Sequence, residues 1–234
     1  MSQLNDKAVA IIPARGGSSR IPRKNIKSFN GRPMIEWPIR ACISSPEVGE
    51  IIVSTDDDEI AAVALEAGAS KVIDRPLELA TDLVGTSPVV QHSIIELGLA
   101  DETPVFCIYP TAPLIPDQVR EAMEIFRSNP SDFVVTVGRH RSPLERALRP
   151  VGNDHMSLIS SDHSLSRTQD LPQSYFDAGK LYLATASLWR KQKTMMEGKF
   201  VPYYLPDWAA WDLDEPADWE VAEGLHRIFI LENS

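Results

Sequence analysis

Four short, nearly unbroken apolar runs constrain this chain more than any other feature: Ala8 to Ile12, Ile51 to Val53, Val105 to Ile108 and Phe133 to Val137. Runs of that length without polar alternation are buried on both faces, as parallel strands are between two layers of helices. The stretches between them carry helical spacing. Ile60, Val63, Ala64 and Ala67 fall at i, i+3, i+4 and i+7, and Val119, Ala122, Met123 and Phe126 repeat the pattern. Alternation of strand and helix over the first part of the chain predicts βαβ crossovers and a three-layer α/β fold with a mainly parallel, Rossmann-like sheet.

From Arg139 to Ala178 this rhythm breaks into a segment rich in His, Arg, Ser and Asp, read as an excursion from the sheet. Leu181 to Ala184 returns to a strand. A closing helix from about Pro216 is expected to bury Val221, Leu225, Ile228 and Phe229 on one face. With 234 residues, a single domain spanning 1–234 is the economical reading.

A net charge of -10 argues against a broad nucleic-acid or anionic-membrane surface, so any anion site must be local. No apolar run approaches the roughly 18 residues of a membrane span. Met1 to Lys7 lacks the pattern of a secretory leader, and Cys42 and Cys107 sit between apolar neighbours as buried thiols. The cytoplasm is the expected compartment. The five histidines and two cysteines show no zinc spacing.

The local anion site is expected directly after the first run, in Ala14-Arg-Gly-Gly-Ser-Ser-Arg-Ile-Pro-Arg-Lys-Asn25. Gly16 and Gly17 let backbone N–H groups approach an anion, and Arg15, Arg20, Arg23 and Lys24 supply four cations. At the carboxyl end of a strand such a loop suits a polyphosphate. The spacing fits neither G-x-x-x-x-G-K-[ST] nor G-x-G-x-x-G, which leaves an oxidoreductase with a bound dinucleotide as the least supported reading.

Asp212-Leu-Asp214 is the other chemical signal. In an extended segment residues i and i+2 share a side, so two carboxylates can face one ion while Leu213 faces the core. Asp214-Glu-Pro216 also reads as a helix cap, and both roles are open. Asp56 and Asp57 read as caps of the following helix, and Arg75 is open to a surface ion pair with Asp74 or Glu78.

The loop from Ala14 to Asn25 resembles the signature of the acylneuraminate cytidylyltransferases. Ser54-Thr-Asp-Asp57, Arg75-Pro-Leu-Glu-Leu-Ala80, Pro110-Thr-Ala-Pro-Leu114 and Asp212-Leu-Asp214 follow in the same order. Arg167-Thr-Gln-Asp-Leu-Pro172 and Tyr175-Phe-Asp-Ala-Gly179 are most similar to the pseudaminic acid branch. Two positions depart from the pattern: Ser19 stands where the family has Lys, and Lys180 where that branch has Gln.

The resemblance implies a GT-A-like nucleotidyltransferase that moves CMP from CTP to the anomeric hydroxyl of an acidic nine-carbon sugar, with pyrophosphate leaving. It implies that Ala14, Arg15, Gly16, Gly17, Lys24, Asn25, Arg75 and Thr86 bind the nucleotide. Lys24 and Arg15 are the catalytic cations, and Asp212 and Asp214 are both catalytic and the ligands of Mg²⁺. Arg167, Gln169 and Asp177 would face the sugar, with exposed polarity as the competing account. The 139–178 excursion corresponds to the family's dimerisation arm, so a homodimer is expected. A cytidylyltransferase for another sugar acid, KDO included, and a nucleotide-binding homologue without turnover are the alternative readings.

Overall fold

The computed structural model describes residues 7–18 and 20–232; Ser19 lies outside the described residues. The expected strands and helices form in the order β1 (Ala8–Pro13), α1 (Glu36–Ile43), β2 (Val48–Thr55), α2 (Asp58–Glu66), β3 (Lys71–Asp74), α3 (Thr86–Glu96), β4 (Pro104–Ile108), α4 (Pro116–Ser128) and β5 (Phe133–Arg139). Then come β6 (Tyr175–Thr185), α5 (Ala186–Lys191), β7 (Phe200–Tyr204) and α6 (Pro216–His226). The strands join one seven-stranded sheet in the order β7-β5-β6-β4-β1-β2-β3. All neighbours pair in parallel except β6, which runs antiparallel to both β4 and β5.

Strand periodicity sorts the core into two layers. Ala8, Ala10 and Ile12 of β1 pack with Ile39 of α1, Ala64 of α2 and Val119, Ala122, Met123 and Phe126 of α4. Val9 and Ile11 point the other way and pack with Val90 and Ile94 of α3 and Trp189 of α5. Both cysteines are buried free thiols. The local signals act as expected at α2, where the Asp57 carboxylate accepts from the Ile60 N–H, and at α4, where Pro116 occupies the first turn.

Two expectations are corrected. The sheet absorbs both ends of the excursion, because Tyr175, Phe176 and Asp177 pair with Arg139, Gly138 and Val137; the departure from the sheet spans 140–174 and contains one small hairpin, Leu148–Pro150 with Met156–Leu158. The closing helix buries Trp219, Ala222 and His226, while Val221, Ile228 and Phe229 are exposed. Hydrophobicity alone pointed to the wrong face. The last turn continues as a π-helix from Arg227 to Leu231, which shifts the register of the apolar residues beyond His226.

A third, smaller cluster lies apart from these two layers. Ile21, Phe29, Met34, Leu213, Trp219 and Ala222 pack together, tying the loop after β1 to the segment before α6. His226 borders it, with its ring against Phe29 and Trp37 and its Nδ1 3.1 Å from the Asn30 side-chain amide.

Burial holds the His226 pKa down at about 4, against an ordinary 6.5. The unfolded chain therefore takes up a proton that the folded chain refuses, and this contribution to stability is complete above about pH 6.5 and is lost as pH falls toward 4. The stake is up to about 3 kcal/mol. Urea unfolding at pH 7 and pH 5 should show the loss, and a His226→Phe variant should flatten that pH dependence.

Candidate functional site

Loops at the carboxyl ends of β1, β2, β3 and β4 surround a cavity of about 420 Å³, where open parallel sheets place ligands. Pro13, Arg15, Gly17, Ser18, Arg20, Ile21, Lys24 and Asn25 contribute from the first loop. Arg75, Thr86, Tyr109, Thr111 and Asp214 close the remaining sides.

The first loop is held from below. The Asp56 carboxylate accepts from the Gly16 N–H at 2.9 Å, the Ala14 N–H donates to the Ser54 carbonyl at 2.9 Å, and the Asn25 amide donates to the Arg15 carbonyl at 2.9 Å. Asp56 therefore braces the loop, and only Asp57 caps α2. Gly16 has no room for a side chain: a Cβ there would lie 2.7 Å from the Asp57 Oδ2. Arg23, in left-handed backbone at φ 54°, turns out of the cavity and pairs with Asp57 and Glu59. One of the four loop cations thus serves the scaffold.

The cations that do line the cavity are Arg15, Arg20, Lys24 and Arg75. Arg15 pairs with Asp82, and Arg20 with Asp214 at 2.8 Å. The Lys24 ammonium donates to the carbonyl of Leu213, the residue between the two acids. Burial lowers the Lys24 pKa, opposed by the charges of Asp214 and Asp212. Arg75 makes no surface ion pair. It is buried, donates to the Ser54 carbonyl at 2.6 Å, and is pulled down to about 10 by desolvation with Asp56 acting in the opposite direction.

Thr86 opens α3, and its hydroxyl lies 2.6 Å from the Tyr109 hydroxyl. Tyr109, raised to about 12 by burial, stays a neutral phenol. Pro110 and Thr111 belong to the Pro110–Leu114 motif, the one signal in the sequence that pointed to this wall.

Of the nucleotide residues expected from sequence, Arg15, Gly17, Lys24, Asn25, Arg75 and Thr86 line the cavity. Ala14 is core and Gly16 is bracing, so neither faces it. Asp214 faces this cavity, while Asp212 lines a second one of about 320 Å³ with Arg139, His140, Arg141, Phe176 and Trp211. Leu213 between them is fully buried, as the alternation requires. Asp214 is not the helix cap. Glu215 holds that position, and the Asp218 carboxylate accepts from the Asp214 and Glu215 N–H groups.

Among the described residues no three or more His, Cys, Asp or Glu side chains converge on a metal position. Two carboxylates beside a polyphosphate cavity nevertheless suit Mg²⁺, which takes one or two protein carboxylates and completes its shell with phosphate oxygens and water.

The expected sugar residues are not brought to either cavity of their own chain. Arg167 is exposed and paired with Asp170, and Gln169 is exposed. Asp177 accepts from the Gly179 N–H at 3.0 Å and from the Tyr182 hydroxyl at 2.8 Å, which fixes the irregular stretch of β6.

A family model described as cytidylyltransferase matches residues 9–208. The pseudaminic acid cytidylyltransferase of Campylobacter jejuni is 36% identical over 225 residues, covering 95% of this chain and 97% of that protein. The CMP-N,N'-diacetyllegionaminic acid synthase of Legionella pneumophila is 32% identical, with 95% and 97% covered. Among solved structures, that of a CMP:2-keto-3-deoxy-manno-octonic acid synthetase complexed with CTP has the same fold, with a TM-score of 0.68 at 18% identity over 95% of this chain and 99% of that one.

The two glycines make a paired prediction. Gly16→Ala drives a methyl into Asp57 and should cost about 1–3 kcal/mol. A Cβ at Gly17 meets nothing within 4 Å, so Gly17→Ala should shift the urea midpoint far less.

Proposed function

Because the chain belongs to the cytidylyltransferase family, we propose that it transfers CMP from CTP to the anomeric hydroxyl of a nonulosonic acid, pseudaminic acid in particular. The observation that carries this reading is one cavity in which Arg15, Lys24 and Arg75 meet the glycine-loop backbone on one side and Asp214 on the other. The sugar hydroxyl attacks the α-phosphorus, the bond to the bridging oxygen breaks, and pyrophosphate leaves with the charge.

Lys24 is the cation best suited to that charge. Its compact ammonium rests on a neutral carbonyl, so it moves to a phosphate oxygen without breaking an ion pair. Arg15 offers a two-pronged fork once it leaves the exposed Asp82. Arg75, Thr86 and Tyr109 form the drier end of the cavity and are assigned to the cytosine side. Asp214 and Asp212 would hold Mg²⁺, which offsets phosphate charge when bound.

The second cavity is the place for the sugar acid. Arg139 and Arg141 bring cationic guanidinium groups to it, Phe176 and Trp211 an apolar wall, and Asp212 its link to the nucleotide side. Arg167 and Gln169 belong to the same site only across a subunit boundary. Leu148, Met156, Ile159 and Leu165 leave large apolar side chains exposed on the excursion, which supports a homodimer joined there. No helix among the described residues is long and apolar enough to cross a membrane.

Pyrophosphate release from CTP with Mg²⁺, offered pseudaminic, legionaminic and N-acetylneuraminic acids in parallel, should favour pseudaminic acid. Turnover with none of them despite CTP binding would refute the proposed reaction. Lys24→Ala should lower kcat by about two orders of magnitude or more. Asp214→Asn should raise the Mg²⁺ requirement with α6 intact, since Asp218 holds that helix start. Light scattering should give the mass of a dimer, and a monomer would remove the shared-site assignment.

A further inference from the structure

The reaction site contains one charged side chain that the proposed chemistry does not use. Lys180 lies in β6, is 1% exposed, and is among the largest fully buried side chains. Among the described residues no hydrogen bond or ion pair reaches its ammonium. Buried charges ordinarily have such a partner.

Its position follows from the irregular stretch of β6. Gly179 adopts left-handed backbone at φ 59°, and the register with β5 shifts between Asp177 and Tyr182. The Lys180 carbonyl accepts from the Tyr109 N–H at 2.9 Å, which anchors the residue behind the wall of the nucleotide cavity. The charges acting on the ammonium are Asp212 and Asp214, which favour it, and Lys24, which opposes it; burial pulls its pKa down to about 8. At neutral pH the group remains mostly cationic. It lies within the field of both acids and lines neither cavity.

We propose that Lys180 is a built-in counter-charge for Asp212 and Asp214: it balances the pair before substrate arrives and weakens the pair's hold on a divalent cation, so that metal arrives mainly with the triphosphate. This rests on the reading of the two acids as the metal pair. Lys180 is a positioning residue, because it touches neither the nucleotide nor the sugar.

The test uses the full chain with a non-hydrolysable CTP analogue and Mn²⁺, its binding followed by electron paramagnetic resonance. Lys180→Gln and Lys180→Met remove the charge, and Met preserves most of the length of the stem. Both should fold, since loss of an unpaired buried charge relieves its desolvation cost. Each should bind Mn²⁺ about tenfold more tightly, the scale of one unit charge acting across several ångströms of partly screened interior. Lys180→Arg should not. In an Asp212→Asn background the gain should shrink, which a merely structural lysine would not produce.

Unchanged or weaker Mn²⁺ binding in both neutral variants overturns the proposal, as does failure of both to fold. If Asp214→Asn and Asp212→Asn leave Mn²⁺ binding intact, the metal reading itself falls. If they weaken it while the Lys180 variants change nothing, only the counter-charge falls.

Discussion

Like charges crowded into a half-dry cleft repel one another, and the carboxyl edge of this sheet is arranged around that problem. Arg15, Arg20, Lys24, Arg75 and Lys180 all approach one region of a chain whose net charge is -10. In the substrate-free protein each has a local answer: Asp82, Asp214, the Leu213 carbonyl, the Ser54 carbonyl and the field of the acid pair. A bound triphosphate supplies the negative charge these groups lack. Most of the answers are exposed or neutral partners and are easily exchanged, whereas Arg75 keeps a buried carbonyl and serves as fixed wall.

The scaffold confines this exchange to the ligand side. Asp56 and Asp57 grip the loop from beneath, and Arg23 is spent on that grip. The cluster of Ile21, Leu213 and Trp219 joins the loop to the acid segment, so Lys24 and Asp214 are placed against each other by packing across nearly the whole length of the chain. Truncating Leu213 would open a cavity there and loosen both chemistries together.

The parallel core was legible because its strands are short uninterrupted apolar runs and its helices keep a 3.6-residue period. The glycine loop was legible because its cations are adjacent in sequence. What escaped notice depends on contacts between distant residues. Nothing local distinguishes Arg23 from Lys24; only Asp57 and Glu59, more than thirty residues on, turn the first away. Arg139, Phe176 and Trp211 converge only through the pairing of β5 with β6 and the return of the chain before α6. The burial of His226 and the exposure of Phe229 reflect a π-helical turn that hydrophobic spacing does not announce.

A cleft built in this way is made for a triphosphate rather than for a nucleoside. Isothermal titration calorimetry with CTP and with CMP, at low and high sodium chloride, tests that claim most directly. CTP should bind on the order of 100-fold more tightly than CMP, and the advantage should shrink as salt screens the cations. Equal affinities, unaffected by salt, would contradict it.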